Sequence, residues 1–256
     1  MLALERRNLI LEQLQEEKRV VVSELSQKFG VSEETIRRDL DKLDRDGLAV
    51  KSYGGAVINE NTSIDMPFNV RKKRNVSGKQ KMAEIIAGLI EDGDHITLDA
   101  STTAIFIAKA IKQKQRLTVL TNSIEVIIEL SGVSEWNIIS SGGKLKEGYL
   151  ALVGTNTIEI FSSYNVEKAI VSGKGFDMEK GLTDSSDEFA KPKQMMLKSA
   201  KQKIIAVDRT KFDTVAFSKI ADLKDIDIVV TDEKPSEGWS TLLRENGITC
   251  LYPENE

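Results

Sequence analysis

Apolar positions along the first third of the chain recur first at helical and then at strand spacing. Over Glu5–Glu17, Ile10, Leu11 and Leu14 share one helical face. The β-branched run Arg19–Val22 is too apolar for a loop and too short for a helix, so it reads as a strand. Ser23 is then placed to cap a second helix, Glu24–Phe29, with Leu25 and Phe29 at i, i+4 and Gly30 as its stop. After the turn Gly30-Val31-Ser32, Ser32 is a suitable N-cap. Glu33 and Glu34 suit the positive end of the helix dipole. Ile36, Leu40 and Leu43 form one stripe of a third helix that Gly47 ends. Leu48-Ala49-Val50 and the return through Tyr53-Gly54-Gly55-Ala56-Val57-Ile58 make a hairpin. With strand 19–22 it predicts a winged helix-turn-helix.

The third helix carries the first candidate chemistry. At roughly 100° per residue, Arg38 and Arg45 point away from the apolar stripe. Thr35 and Lys42 lie on one shoulder and Arg37 on the other. Taken alone, such a helix is equally a solvated amphipathic surface. Preceded by a helix and a turn and followed by a wing, it fits insertion into a DNA major groove. The wing tip, Lys51 to Gly55, would then follow the phosphate backbone or the minor groove. Ser32, Thr35, Arg37, Arg38, Lys51, Tyr53 and Gly54 are the expected DNA contacts, and double-stranded operator DNA the expected partner.

Beyond Ile58 the pattern changes. Residues 59–75 begin with a polar stretch lacking periodicity, and the reading is a winged domain at 1–58, a linker at 59–75 and a larger domain at 76–256. In that larger part, helices alternate with short apolar strands at 96–98, 117–120, 137–140, 166–172, 204–207 and 226–231. The fold class is α/β, with a mostly parallel sheet covered on both faces. Ligands of such sheets bind beyond the carboxyl ends of the strands. There the chain places Asp99-Ala100-Ser101-Thr102-Thr103, then Thr121-Asn122-Ser123, then Ser140-Ser141-Gly142-Gly143-Lys144. Lys193, on a helix, and Asp208 with Lys211 come later. Small residues let backbone approach an anion, and helix starts present free amides to it. Taken singly, each loop is an ordinary capped turn. Together they suggest a phosphorylated small ligand, with Asp99 and Asp208 on hydroxyls and the lysines on charge.

These residues carry a resemblance. Arg6-Arg7, Ser23-Glu24-Leu25, Phe29-Gly30-Val31-Ser32, Thr35-Ile36-Arg37-Arg38-Asp39-Leu40 and Gly54-Gly55-Ala56 resemble the N-terminal domain of the DeoR family of bacterial repressors. Tyr53 stands where that family commonly has histidine. The rest resembles the family's sensor domain through Asp99–Thr103, Thr121-Asn122-Ser123, Gly142-Gly143, Leu152-Val153-Gly154, Gly181-Leu182-Thr183, Glu188, Lys193, Met196 and Asp208 with Lys211-Phe212. Ser101 replaces a usual glycine, Pro192 falls inside a family helix, and Lys174 stands where a small or acidic residue is more common. The resemblance implies a fold shared with ribose-5-phosphate isomerase and sugar-phosphate deaminases. It also implies a repressor of a carbohydrate-metabolism operon, relieved by a phosphorylated sugar and acting as a homodimer or homotetramer. The effector set is Asp99, Ser101, Thr102, Thr103, Thr121, Asn122, Gly142, Gly143, Lys193, Asp208 and Lys211.

Charge and composition narrow the alternatives. The chain's formal charge is −4, but residues 1–81 hold 16 basic and 13 acidic side chains, a net +3, leaving −7 for the remainder. DNA affinity must therefore rest on a few placed cations and on dimerisation. One cysteine, Cys250, excludes an internal disulfide framework and a cysteine metal cluster, and its apolar surroundings suggest a buried thiol. Without a signal peptide or an apolar run of about 18 residues, a cytoplasmic protein without membrane contact is expected. An isomerase- or deaminase-like enzyme carrying a DNA-binding module is the alternative. Asp99, Glu188 and Lys193 are its candidate acid–base groups. The only histidine, His95, precedes its strand and reads as a surface turn residue. Neither a nucleophile elbow nor a phosphate-binding P-loop motif occurs. Sensing is expected, with no catalytic residue, metal or cofactor.

Overall fold

A computed structural model of the chain describes residues 1–59 and 66–253, with the side chain of Gln15 left aside. The chain divides into two compact units, Met1–Arg74 and Asn75–Glu256.

The first unit contains α1 (Ala3–Glu17), β1 (Arg19–Val21), α2 (Val22–Phe29), α3 (Glu33–Arg45), β2 (Ala49–Ser52), β3 (Gly55–Ile58) and α4 (Phe68–Lys73). β1, β3 and β2 form an antiparallel sheet in that order, with Val20 opposite Ala56 and Val50 opposite Val57. Its core joins Ile10, Leu11 and Leu14 of α1 to Leu25 of α2 and to Ile36, Leu40 and Leu43 of α3. Two local readings change. Ser23 does not cap α2, which starts at Val22, two residues earlier than expected, with Val21 before it. The amide of Val22, the first of the helix, donates to the carbonyl of Gly54 at 2.8 Å, so the wing satisfies one of the donors left open at the helix start. The segment read as a linker is partly structured: Met66 and Val70 pack into the first unit's core, and Lys73 pairs with Glu12 at 2.8 Å. The positions read as linker at 60–65 lie outside the described residues.

The apolar stripes of α1 and α3 each hold a charge at a core position. Asp39 follows Ile36 at i+3, and Arg6 precedes Ile10 by four. Asp39 Oδ2 lies 2.5 Å from Arg6 Nε, and Arg7 approaches the other oxygen at 3.8 Å. Both side chains of the closer pair are more than nine-tenths buried. The pair ties α3 to α1 and orients the helix that carries Arg37 and Arg38.

The second unit begins with α5 (Val76–Leu89), β4 (His95–Leu98), α6 (Thr102–Ala110), β5 (Thr118–Thr121), α7 (Ile124–Leu130) and β6 (Asn137–Ser140). Next come β7 (Lys144–Lys146), β8 (Ala151–Val153), α8 (Thr155–Ser162), β9 (Val166–Val171), β10 (Gly175–Asp177), β11 (Gly181–Asp184) and α9 (Asp187–Lys198). β12 (Ala200–Ala206), β13 (Ser218–Ala221), β14 (Ile228–Val230), α10 (Glu237–Glu245) and β15 (Thr249–Leu251) complete it. The main sheet has seven strands in the order β15-β14-β12-β9-β4-β5-β6, and every neighbouring pair is parallel. From the centre, β4, β5 and β6 proceed one way, while β9, β12, β14 and β15 proceed the other. The order therefore reverses between β4 and β9, a crevice where open α/β sheets bind ligands. The antiparallel sheet β10-β11-β13 and the hairpin β7–β8 had no counterpart in the alternating pattern. Pro192 is accommodated inside an unbroken α9.

Asp39→Asn is expected to leave the buried Arg6 charge unpaired and destabilise the first unit by about 3–5 kcal/mol. Hydrogen exchange of α1 and α3 amides across a urea series measures the loss. Protection equal to that of the unaltered protein would show the pair to be dispensable.

Candidate functional site

The first unit presents a surface formed by α3 and the wing. Ser32 caps α3 by accepting the Thr35 amide at 3.2 Å, and the two hydroxyls lie 2.9 Å apart. Ser32, Arg37, Arg38, Lys51, Tyr53 and Gly54 are exposed and Thr35 is half-buried. Tyr53, at the tip of the turn between β2 and β3, is fully exposed. Gly55 allows the wing to close: a Cβ there would stand 2.0 Å from the carbonyl oxygen of Val20. Arg37 pairs with Glu33 at 2.5 Å, Arg38 with Glu34 at 3.3 Å, and Lys51 with Asp41.

In the second unit, Asp99 directly follows β4 and Ser172 directly follows β9, so the two flank the reversal point. Asp99 Oδ2 accepts the Ser172 amide at 2.9 Å, and Oδ1 accepts the Ser101 amide at 3.1 Å. Lys193 of α9 reaches the same place. Its Nζ donates to the Ser172 carbonyl at 2.8 Å and Asp184 Oδ2 at 2.6 Å, and sits 3.2 Å from Asp99 Oδ2. An ammonium has three donors, and all three are engaged within the chain. Burial alone would strip the proton from Lys193, but attraction to Asp184 and Asp99 outweighs it and holds the pKa above the usual lysine value.

The neighbouring loops hold the other candidates. Ser101 caps α6 by accepting the Ala104 amide at 3.1 Å, and the first-turn amides of Thr102 and Thr103 precede the helical bonding pattern. Thr121 donates its hydroxyl to the Leu98 carbonyl at 2.6 Å. Asn122 donates Nδ2 to the Leu152 carbonyl at 2.9 Å, and its own carbonyl accepts the Leu152 amide at 2.8 Å. Its Oδ1 is buried and meets no donor among the described residues; the same holds for Ser186 Oγ at the start of α9. Gly143 is required by packing inside the chain, since a Cβ would stand 2.3 Å from Thr157 Oγ1 and 2.7 Å from the Val153 carbonyl. Gly142 faces open space. Asp208 caps its own turn by accepting the Thr210 amide at 2.9 Å, and Lys211 ends that turn. Lys193, Asp99 and the loop after β5 thus adjoin one crevice, while Asp208 is turned onto its own segment.

Sequence reasoning missed Asp184, Ser172 and Asp39. Asp39 left a signal, a carboxylate at an apolar-stripe position. Asp184 left none, because it ends a strand of the antiparallel sheet that periodicity did not reveal. The acid–base candidates are engaged: Lys193 has all three donors used, Asp99 holds Lys193 and two backbone amides, and Glu188 pairs with Lys146 at 2.5 Å. His95 opens β4 at the opposite edge, with both its amide and Nδ1 2.9 Å from Glu167 Oε2. Cys250 is half-buried, and burial pushes its thiol up to about 11. Among the described residues, no three His, Cys, Asp or Glu side chains are grouped to hold a metal, and no helix is long and apolar enough to cross a membrane.

Comparison with known proteins finds matches to both units. Residues 6–62 match the DeoR-like helix-turn-helix domain, and residues 74–233 match the DeoR C terminal sensor domain. The chain is 39% identical over 232 residues to the uncharacterized HTH-type transcriptional regulator YulB of Bacillus subtilis (strain 168), covering 91% of this chain and 90% of that protein. It is 34% identical to the HTH-type transcriptional repressor GlcR of the same organism, covering 96% and 95%. It is 27% identical to the glycerol-3-phosphate regulon repressor of Escherichia coli (strain K12), covering 95% and 96%.

Lys193→Met is expected to leave two buried carboxyl groups without their cation and to destabilise the second unit by about 3–5 kcal/mol. Because the folded pKa is raised, the stabilisation from Lys193 is complete below the unfolded lysine pKa of about 10.4. It is lost only as pH rises beyond that, through the folded value. Urea midpoints from neutral to alkaline pH should therefore converge for variant and wild type at the alkaline end. A constant gap would mean the loss is packing alone.

Proposed function

This chain belongs to the DeoR family of transcriptional repressors, and from that we propose that it controls a carbohydrate-metabolism operon and leaves its operator when a phosphorylated sugar binds. The first unit reads the operator: α3 enters the major groove with Thr35, Arg37 and Arg38, while Ser32 steadies its start. Lys51, Tyr53 and Gly54 lie along the backbone. Two units bind a repeated or palindromic site, so the working form is a homodimer or homotetramer in the cytoplasm.

The sugar phosphate occupies the carboxyl edge of the seven-stranded sheet. The observation that carries this reading is the buried Asn122 Oδ1, an acceptor without a donor, beside the reversal of strand order. A buried acceptor left unmade costs free energy that a ligand hydroxyl recovers. The phosphate is assigned to the start of α6, where Ser101, Thr102 and Thr103 present amides and hydroxyls. Thr121, Gly142 and Gly143 border the site, and Lys211 is assigned to its far wall, with Asp208 fixing the turn that carries it. Lys193 shapes the crevice without donating to the ligand, since its three donors are engaged by the chain, and Asp99 lines the crevice as an acceptor. The name of the glycerol-3-phosphate regulon repressor adds weight to a phosphorylated effector. Sensing is favoured over turnover, because a general base needs a free carboxylate or imidazole in the crevice. The ligand releases DNA only to the extent that it prefers the DNA-incompetent arrangement.

Arg38→Ala, and separately Arg37→Ala, should weaken operator binding in gel-shift titrations without unfolding the protein. A base-reading arginine is worth about 1–3 kcal/mol and its loss relaxes preference at one base pair. Wild-type binding by both variants would mean that another surface reads DNA.

An operator-release titration with a sugar and with its phosphate ester tests the sensor. Release by the ester alone is expected, and Asn122→Leu should abolish it while sparing operator affinity. Equal release by the free sugar would remove the phosphate from the proposal.

A further inference from the structure

The DNA-facing surface is electrically self-neutralised. Residues 1–59, which hold α3 and the wing, carry 10 basic and 11 acidic side chains, a net of −1, and the whole unit Met1–Arg74 carries 14 and 13, a net of only +1. The pairing is local. On α3, Arg37 holds Glu33 at 2.5 Å, Arg38 holds Glu34 at 3.3 Å and Lys42 holds Asp46 at 2.7 Å. Lys51 of the wing crosses to Asp41 of α3. Arg45 donates to the backbone carbonyl of Asp41.

These pairs differ in kind from Arg6–Asp39. That pair is buried, whereas side-chain exposure is 52% and 46% for Arg37 and Glu33, and 77% and 63% for Arg38 and Glu34. For Lys51 and Asp41 it is 47% and 43%. Exposed pairs contribute little to stability and open easily. The helix dipole favours Glu33 and Glu34 at the start of α3, but it does not require that Arg37, Arg38 and Lys51 each have a carboxylate at hand.

We propose that Glu33, Glu34 and Asp41 act as internal stand-ins for DNA phosphate, engaging Arg37, Arg38 and Lys51 until DNA displaces them, and so hold down binding to DNA of arbitrary sequence. Sequence-independent binding is almost wholly electrostatic. It must therefore break these pairs and bring the displaced carboxylates near phosphates with no base contact in return. An operator offsets the same cost with hydrogen bonds to base edges. The inference rests on the reading of α3 and the wing as the DNA-facing surface.

The test is fluorescence anisotropy of the full chain with a labelled random-sequence duplex, at low and at high salt. Each of Glu33→Gln, Glu34→Gln and Asp41→Asn is expected to tighten binding by about 1.5- to 5-fold, the equivalent of one exposed pair. The triple variant should gain about an order of magnitude if the pairs add, and the gain should vanish at high salt, where such pairs are screened. Glu16→Gln, an exposed position on α1, controls for the mere removal of negative charge and should change binding by less than about twofold, because screening confines the effect to nearby phosphates. Arg38→Ala and Lys51→Ala, measured alongside, should weaken binding. If they leave it unchanged, the DNA-facing surface lies elsewhere, and that reading and this inference fall together. If they weaken it while the triple variant gains nothing, or gains no more than Glu16→Gln, this inference alone is overturned.

Discussion

The second unit is organised around a buried ammonium shared between two carboxyl groups. Lys193, Asp99 and Asp184 come from α9, from the end of β4 and from the end of β11, and meet where the parallel sheet reverses its order. An unpaired charge at that depth costs several kcal/mol, so the three segments are committed to one arrangement. The Ser172 amide and carbonyl complete the set from β9. Both halves of the sheet are thereby tied across the crevice whose walls the neighbouring loops supply. The knot occupies the floor, and among the described residues the buried side-chain atoms left without a partner are Thr97 Oγ1 within β4, Asn122 Oδ1 and Ser186 Oγ.

The winged unit repeats this logic on a smaller scale. Arg6 and Asp39 occupy positions on α1 and α3 where aliphatic residues would continue the stripe. A buried pair contributes less to stability than well-packed hydrophobic residues often do, yet removing one partner is costly. Its consequence here is geometric: α3 cannot rotate on α1 without stranding a charge, so its outward face is held in one orientation. The exposed pairs on that face impose no such restraint. Burial thus separates two uses of the same ion-pair chemistry on one helix.

Relatives named as regulators and repressors cover nearly the whole chain, so the two units and their order are a property of the family. Chemical availability in the crevice accords with sensing. Its lysine has no spare donor, Asp99 is held by Lys193 and two backbone amides, and the single histidine stands at the opposite edge of the sheet.

Local periodicity by itself determined a great deal. Ile36, Leu40 and Leu43 with Ser32 before them specify α3, because a helix needs only its own stripe and cap to be recognised. The alternation after residue 76 specifies a parallel sheet, because each strand buried on both faces reads as a short apolar run. The same pattern located the loops at the carboxyl edge, including Asp99 and Asn122. Tertiary structure alone decided the rest. β10, β11 and β13 are short strands whose pairing is antiparallel and set by distant partners, so Asp184 carried no local mark. Lys193 read as a ligand contact until its three donors were counted, and donor satisfaction depends on residues 9, 21 and 94 positions away. The Val22 amide is satisfied by Gly54 across the wing, and the segment after Met66 joined the first unit because Val70 found its core. In each case the deciding contact lies far along the chain, where no repeat of the sequence can announce it.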